Sequence, residues 1–171
     1  LYNICMDKKQ RPVVFFDRDG VINRKPRKHD YIKSWSEFEF LYGIEDSIKL
    51  CNQRGYLVVV VSNQRGIARG LMTRNTVDLI NRKMVELLYE LGGVIDAVYI
   101  CPHGRKDKCM CRKPRPGMLL RSKKDFDIDL KGSVMVGDSV SDLEAGKRAG
   151  CSSLILVKNG RQLYQDLWRI L

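Results

Sequence analysis

The chain has 171 residues, 44% hydrophobic and 30% charged, which excludes wholesale disorder and suits one domain burying about 70% of its unfolded surface. Its longest aliphatic run, residues 57–61, is far short of the roughly 20 residues a membrane helix needs, and LYNICMDKKQ at the start offers no signal-peptide pattern. Lys and Arg number 31 against 20 Asp and Glu, a formal charge of +11 that favours anionic partners without naming them.

Residues 12–17 (PVVFFD) read as a buried strand ending in a carboxylate, and 44–53 as a helix stopped by Gly55. Residues 57–62 form a second strand. Thr73 then caps a helix whose Val77, Ile80, Met84, Leu87, Leu88 and Leu91 make one apolar stripe ending at Gly92-Gly93. A strand over 96–100, a helix over 116–126 and a strand over 133–137 follow. Next come a helix over 142–149 stopped by Gly150, and a strand over 153–157. Leu163, Leu167 and Ile170, with Trp168 beside them, predict a last helix within 162–171 docked on the sheet. Continuous apolar strands are covered on both faces, and their alternation with helices predicts an α/β, doubly wound, mainly parallel sheet. Short insertions after the strands leave no large cap, and the absence of linkers makes 1–171 a single domain.

The chemistry gathers at the predicted strand ends. In Asp17-Arg18-Asp19-Gly20, residues i and i+2 of an extended chain point the same way, so two carboxylates can share one site. One can serve as nucleophile or metal ligand and the other as general acid and base. Alone, the motif is equally a solvated turn after a strand. Asp138 ends the 133–137 strand, with Asp142 opening the next helix. If that strand lies beside the first, Asp138 comes next to Asp17, and crowded carboxylates suit Mg²⁺. Asp142 reads equally well as an acidic residue placed in a helix dipole. Ser62-Asn63-Gln64 ends the second strand, where a hydroxyl and backbone N–H groups can hold phosphoryl oxygens, and Arg112-Lys113 adds cations.

Cys101, His103, Cys109 and Cys111 lie within eleven residues and form a Cys₃His set, a closed tetrahedral zinc site with a structural role in the loop 101–111. Cys5, Cys51 and Cys151 are scattered, as expected of a reducing compartment, and the last two read as small buried hydrophobes.

In order and context, FFDRDGVIN, VVVVSNQRGIARG, CRKPRPGML and VMVGDSVSDLEAG resemble the four motifs of the haloacid-dehalogenase-type phosphatases, over residues 13–157. The finer likeness is to the subgroup with D-glycero-D-manno-heptose 1,7-bisphosphate and histidinol-phosphate phosphatases. The resemblance implies a Rossmann-like haloacid-dehalogenase fold with a small zinc loop. It also implies that Asp17 is the nucleophile and Asp19 the acid and base, while Ser62 and Lys113 stabilise the phosphoryl group. Arg112, with Asn63 and Gln64, would contact substrate. Mg²⁺ would be held by Asp17, Asp19 through its carbonyl, and Asp138. Ser139 stands where many heptose relatives place a Lys beside the metal-binding Asp.

The stretch 24–34 carries Arg24, Lys25, Arg27, Lys28 and Lys33. Folded over the strand tips, Lys25, Arg27 and Lys28 could hold the second phosphate of a bisphosphate, which histidinol phosphate lacks; a solvated charged loop is the alternative. Tyr31, Trp35, Phe38 and Phe40 suit loop anchors better than a base-stacking groove. The expectation is therefore a cytoplasmic, monomeric Mg²⁺-dependent phosphatase with structural Zn²⁺, acting on a small phosphorylated sugar. Its reaction would be removal of the C7 phosphate of the heptose bisphosphate, with no membrane partner. Histidinol phosphate, nucleic-acid ends and a non-catalytic zinc module are the alternatives.

Overall fold

The structure, a computed structural model, describes residues 10–27 and 30–171. Lys28, expected at the substrate, lies outside them, as do His29, Cys5 and most of the segment read for a signal peptide. Among the described residues, five parallel strands form one sheet: β1 (Arg11–Phe16), β2 (Leu57–Asn63), β3 (Ala97–Cys101), β4 (Ile128–Gly137) and β5 (Ser153–Leu156). Their order is β3-β2-β1-β4-β5, so the chain reverses direction across the sheet at β1. Open α/β sheets bind ligands in the crevice outside the carboxyl ends of the strands at such a point. No helix among the described residues is long and apolar enough to cross a membrane.

Burial on both faces explains the apolar runs. Val14 and Phe16 of β1 join one core layer with α1 (Ile44–Gln53), α2 (Arg74–Glu90) and α5 (Gly160–Ile170). Val13 and Phe15 face the other, built with α3 (Gly117–Phe126) and α4 (Val140–Ala149). Phe15 and Phe16 are wholly buried, and truncating either to Ala costs about 3–5 kcal/mol.

Two elements differ from expectation. Thr73 does cap α2, accepting the Thr76 N–H at 3.1 Å, but the apolar stripe is narrower than predicted. Its buried face is Val77, Ile80, Asn81, Met84 and Leu88, whereas Leu87 is 37% and Leu91 51% exposed. Position 81 completes the i+4, i+7 face with a polar residue, which apolar periodicity does not register. Strand β4 begins five residues before the predicted 133, at Ile128. Ile128 and Leu130 are buried but exposed Lys131 breaks the apolar run. A register shift between Pro12 and Val14 falls there, and the Ser133 hydroxyl bridges it, accepting from Val13 N at 2.9 Å and donating to Asp129 O at 2.6 Å.

The basic stretch stands on a pinned base. Arg24 N donates to Glu39 O at 2.7 Å and Leu41 N to Ile22 O at 2.9 Å. Trp35 stacks on Phe38 with centroids 4.9 Å apart, and Phe38 meets Phe40 edge-on at 5.1 Å. These aromatics pack on the core as the anchors they were expected to be. Cys51 is fully buried, while Cys151 is half-buried against the second core layer.

Candidate active site

The site grows from the β1–β4 pairing. Asp17 N donates to Val136 O at 2.9 Å, carrying the ladder one residue past β1. Its carboxylate therefore emerges beside the end of β4, where Gly137 leads into Asp138. Gly20 turns the chain back at φ +95, and a Cβ there would lie 2.1 Å from Asp138 Oδ2. Only a glycine allows this approach. One carboxylate oxygen each from Asp17, Asp138 and Asp142 falls within 4.8 Å of the others.

Lys113 threads into this group. Its Nζ lies 2.8 Å from Asp17 Oδ1, 2.7 Å from Asp142 Oδ1 and 2.6 Å from Val61 O. Burial works to lower the ammonium pKa, but Asp17 and Asp142 outweigh it and hold it above the ordinary lysine range. Asp17 itself is pushed up to about 7, by burial first and then by the charges of Asp142 and Asp19, with Lys113 opposing. Lys25 reaches over from the basic stretch to Asp138 Oδ2 at 2.5 Å. Even so, three carboxylates crowd one cavity, and an all-oxygen set of this kind fits a hard divalent cation.

Asp142 is already committed. Its Oδ2 accepts from Ser139 N at 3.1 Å and Ser139 Oγ at 2.6 Å in the capping box of α4, while Oδ1 takes Lys113. Asp17 and Asp138 thus keep the freer oxygens.

Asp19 faces differently. Its carboxylate turns inward, where Arg18 forks onto it, Asn23 Nδ2 donates to Oδ1 at 3.0 Å and Gln64 Nε2 to Oδ2 at 3.0 Å. It still borders a cavity of about 420 Å³ shared with Asp17, Ser62, Lys25, Arg27, Arg65, Arg112 and Lys113. Ser62, buried at the tip of β2, accepts from Gln64 Nε2 at 2.8 Å.

Of the two further residues expected at the substrate, Asn63 borders the cavity and Gln64 does not. Asn63 pairs with the Lys113 backbone in both directions, at 3.2 and 3.1 Å. Gln64 is fully buried, spends its amino group on Asp19 and Ser62, and does not line the cavity. Period-2 reasoning places residues at a strand tip but cannot say which of them turn inward.

The four zinc-type donors come together beside this cavity. Cys101 Sγ lies 3.6 Å from Cys109 Sγ and 3.2 Å from Cys111 Sγ, and His103 Nδ1 is 3.2 Å from Cys111 Sγ. These spacings approach the roughly 3.8 Å edge of a tetrahedron with 2.3 Å zinc–sulfur bonds. Arg112 Nη1 reaches His103 O at 3.4 Å, tying the loop to the cationic rim.

A parallel sheet that ends, at its switch point, in carboxylates threaded by a buried lysine suits the handling of a metal-bound phosphoryl group, and the molecule is a phosphatase of the haloacid-dehalogenase type. More narrowly, residues 12–155 match the family described as Polynucleotide kinase 3 phosphatase, and the chain belongs to that family. It is similar to the D-glycero-beta-D-manno-heptose-1,7-bisphosphate 7-phosphatase of Bordetella bronchiseptica, 42% identical over 88% of this chain and 83% of the relative. The enzyme of that name from Pasteurella multocida is 38% identical over 91% and 86%. The crystal structure of D,D-heptose 1,7-bisphosphate phosphatase from B. bronchiseptica, complexed with magnesium and phosphate, superposes with a TM-score of 0.80. That comparison covers 91% of this chain and 86% of the other at 40% identity.

Proposed function

We propose that the chain removes the C7 phosphate of D-glycero-β-D-manno-heptose 1,7-bisphosphate through an aspartyl phosphate on Asp17. The observation that carries this reading is the convergence of Asp17 and Asp138 at the switch point with Lys113 between Asp17 and Asp142. The identity to heptose bisphosphate phosphatases along most of the chain supports the substrate.

In this mechanism Asp17 attacks phosphorus in line with the departing sugar oxygen, and Asp19 gives that oxygen its proton as the P–O bond breaks. Asp19 then takes a proton from the water that attacks the aspartyl phosphate, releasing phosphate and freeing Asp17. Lys113 and Ser62 neutralise and orient the equatorial oxygens. Mg²⁺ would be held by Asp17, Asp138 and the Asp19 carbonyl and would supply positive charge to those oxygens. Lys25, Arg27 and Arg112 rim the cavity as cations for the phosphates, and Lys25 would exchange Asp138 for phosphate once the cation is bound. Zn²⁺ on Cys101, His103, Cys109 and Cys111 would stiffen the loop that carries Arg112 and Lys113. The enzyme would work in the cytoplasm, where such thiols stay reduced. It would act as one domain and as a monomer.

A nucleic-acid end phosphatase is the second reading, favoured by the description of the matching family and by the charge of +11. Phosphate release with Mg²⁺ from heptose bisphosphate, histidinol phosphate and a 3′-phosphorylated oligonucleotide tests both. Preference for the heptose substrate, abolished in Asp17→Asn, is expected; preference for the oligonucleotide would replace the first reading with the second.

A further inference from the structure

Arg18 lies between the two aspartates of the strand-tip motif and has no exposed surface at all. Arginine is almost never fully buried unless paired. Here Nε and Nη2 fork onto Asp19, at 3.2 and 3.0 Å to Oδ1 and 3.1 Å to Oδ2. The remaining arm, Nη1, donates at 3.0 Å to Oδ1 of Asn81, the one polar residue on the buried face of α2. Packing alone would be served by apolar side chains at both positions. A chain of polar contacts instead runs from a helix in the core layer to one carboxylate at the cavity wall.

We propose that Arg18, backed by Asn81, is the positioning residue that fixes Asp19 for proton transfer, a role that rests on the acid–base reading of Asp19 above. A carboxylate on a freely turning side chain samples many directions, whereas a planar fork held from behind permits one. Asn23 and Gln64 complete the cradle from the sides. Oδ2, with donors from Arg18 and Gln64 only, is less encumbered than Oδ1 and is the oxygen that exchanges the proton. Neither Arg18 nor Asn81 borders the cavity, so both act through Asp19.

The test separates positioning from mere stability by leaving group. The ratio kcat/KM reports the steps through departure of the leaving group and is blind to hydrolysis of the aspartyl phosphate. A sugar alkoxide needs a proton to leave; p-nitrophenolate does not. Asn81→Ala and Arg18→Lys, measured as folded, Mg²⁺-loaded protein with melting temperatures checked, are expected to lose about tenfold or more in kcat/KM on the heptose bisphosphate and less than about threefold on p-nitrophenyl phosphate. Equal losses on both substrates overturn the proposal. Asp19→Asn is the control: if it too loses equally on both, the acid role of Asp19 is what fails. Should Arg18→Lys not fold, Asn81→Ala decides alone, since it deletes only the rear contact.

Discussion

The ammonium of Lys113 and the carboxylate of Asp142 meet at 2.7 Å with both side chains essentially sealed from water. Removing one member of such a pair leaves an uncompensated buried charge. Lys113→Met is therefore expected to destabilise the metal-free protein by about 3–5 kcal/mol and to lower kcat by a factor of about 10²–10³. Denaturant unfolding in chelator and phosphate release in Mg²⁺ read the two effects. A stability loss under about 1 kcal/mol would show that the pair is solvated and the burial argument mistaken.

Gly20 and Gly43 offer a matched comparison. Both have positive φ, +95 and +76, but a Cβ at Gly43 meets nothing within 4 Å whereas one at Gly20 strikes the Asp138 carboxylate. Gly43→Ala should cost only backbone strain, about 1 kcal/mol, with activity unchanged. Gly20→Ala should in addition swing Asp138 away and raise the Mg²⁺ concentration for half-maximal activity about tenfold. Identical Mg²⁺ dependence in the two variants would detach Gly20 from the cation site.

The thiol–imidazole cluster should hold one equivalent of zinc. Stripping it with a chelator is expected to lower the melting temperature and the activity together. The loop carrying Arg112 is held to the same cluster, with Arg112 on His103 O and Arg115 on Cys109 O. Elemental analysis finding much less than one equivalent in unchelated protein, or full activity in Cys109→Ser, would sink the structural role.

Burial pushes the Cys51 thiol from its ordinary 9.0 up to about 12. Below pH 9 the folded and unfolded chains both keep this proton, and the residue gives no pH dependence. Between pH 9 and 12 the unfolded chain sheds a proton the folded one retains, so stability falls as pH rises, by about 1.4 kcal/mol at pH 10. Urea unfolding at pH 8 and pH 10 should show this component missing from Cys51→Ala. An equal alkaline loss in both proteins would mean the thiol is not insulated.

Much of the site was legible in local sequence because its chemistry depends on strand ends. The DRDG turn, the carboxylate at 138, the lysine at 113 and the cysteine spacing are short-range patterns. The structure brings Asp17, Asp138, Lys113 and the four zinc-type donors into the neighbourhoods those patterns anticipated. Asp142 was balanced between metal and helix start, and the capping box with Lys113 tips it toward holding the helix and the lysine. Arg18 carries no such local signal, because a charged residue in a turn ordinarily reads as solvated.

The sequence by itself determined the alternation of apolar strands and helices, and hence a parallel sheet covered on both faces, because hydrophobic period is a local property that burial enforces residue by residue. Tertiary structure alone decided that β4 lies against β1, that Asn81 reaches Arg18 across sixty-three positions, and that Gln64 turns inward while Asn63 and Lys25 border the cavity. Those outcomes depend on strand order and on side-chain partners supplied from distant segments, and no local period encodes either.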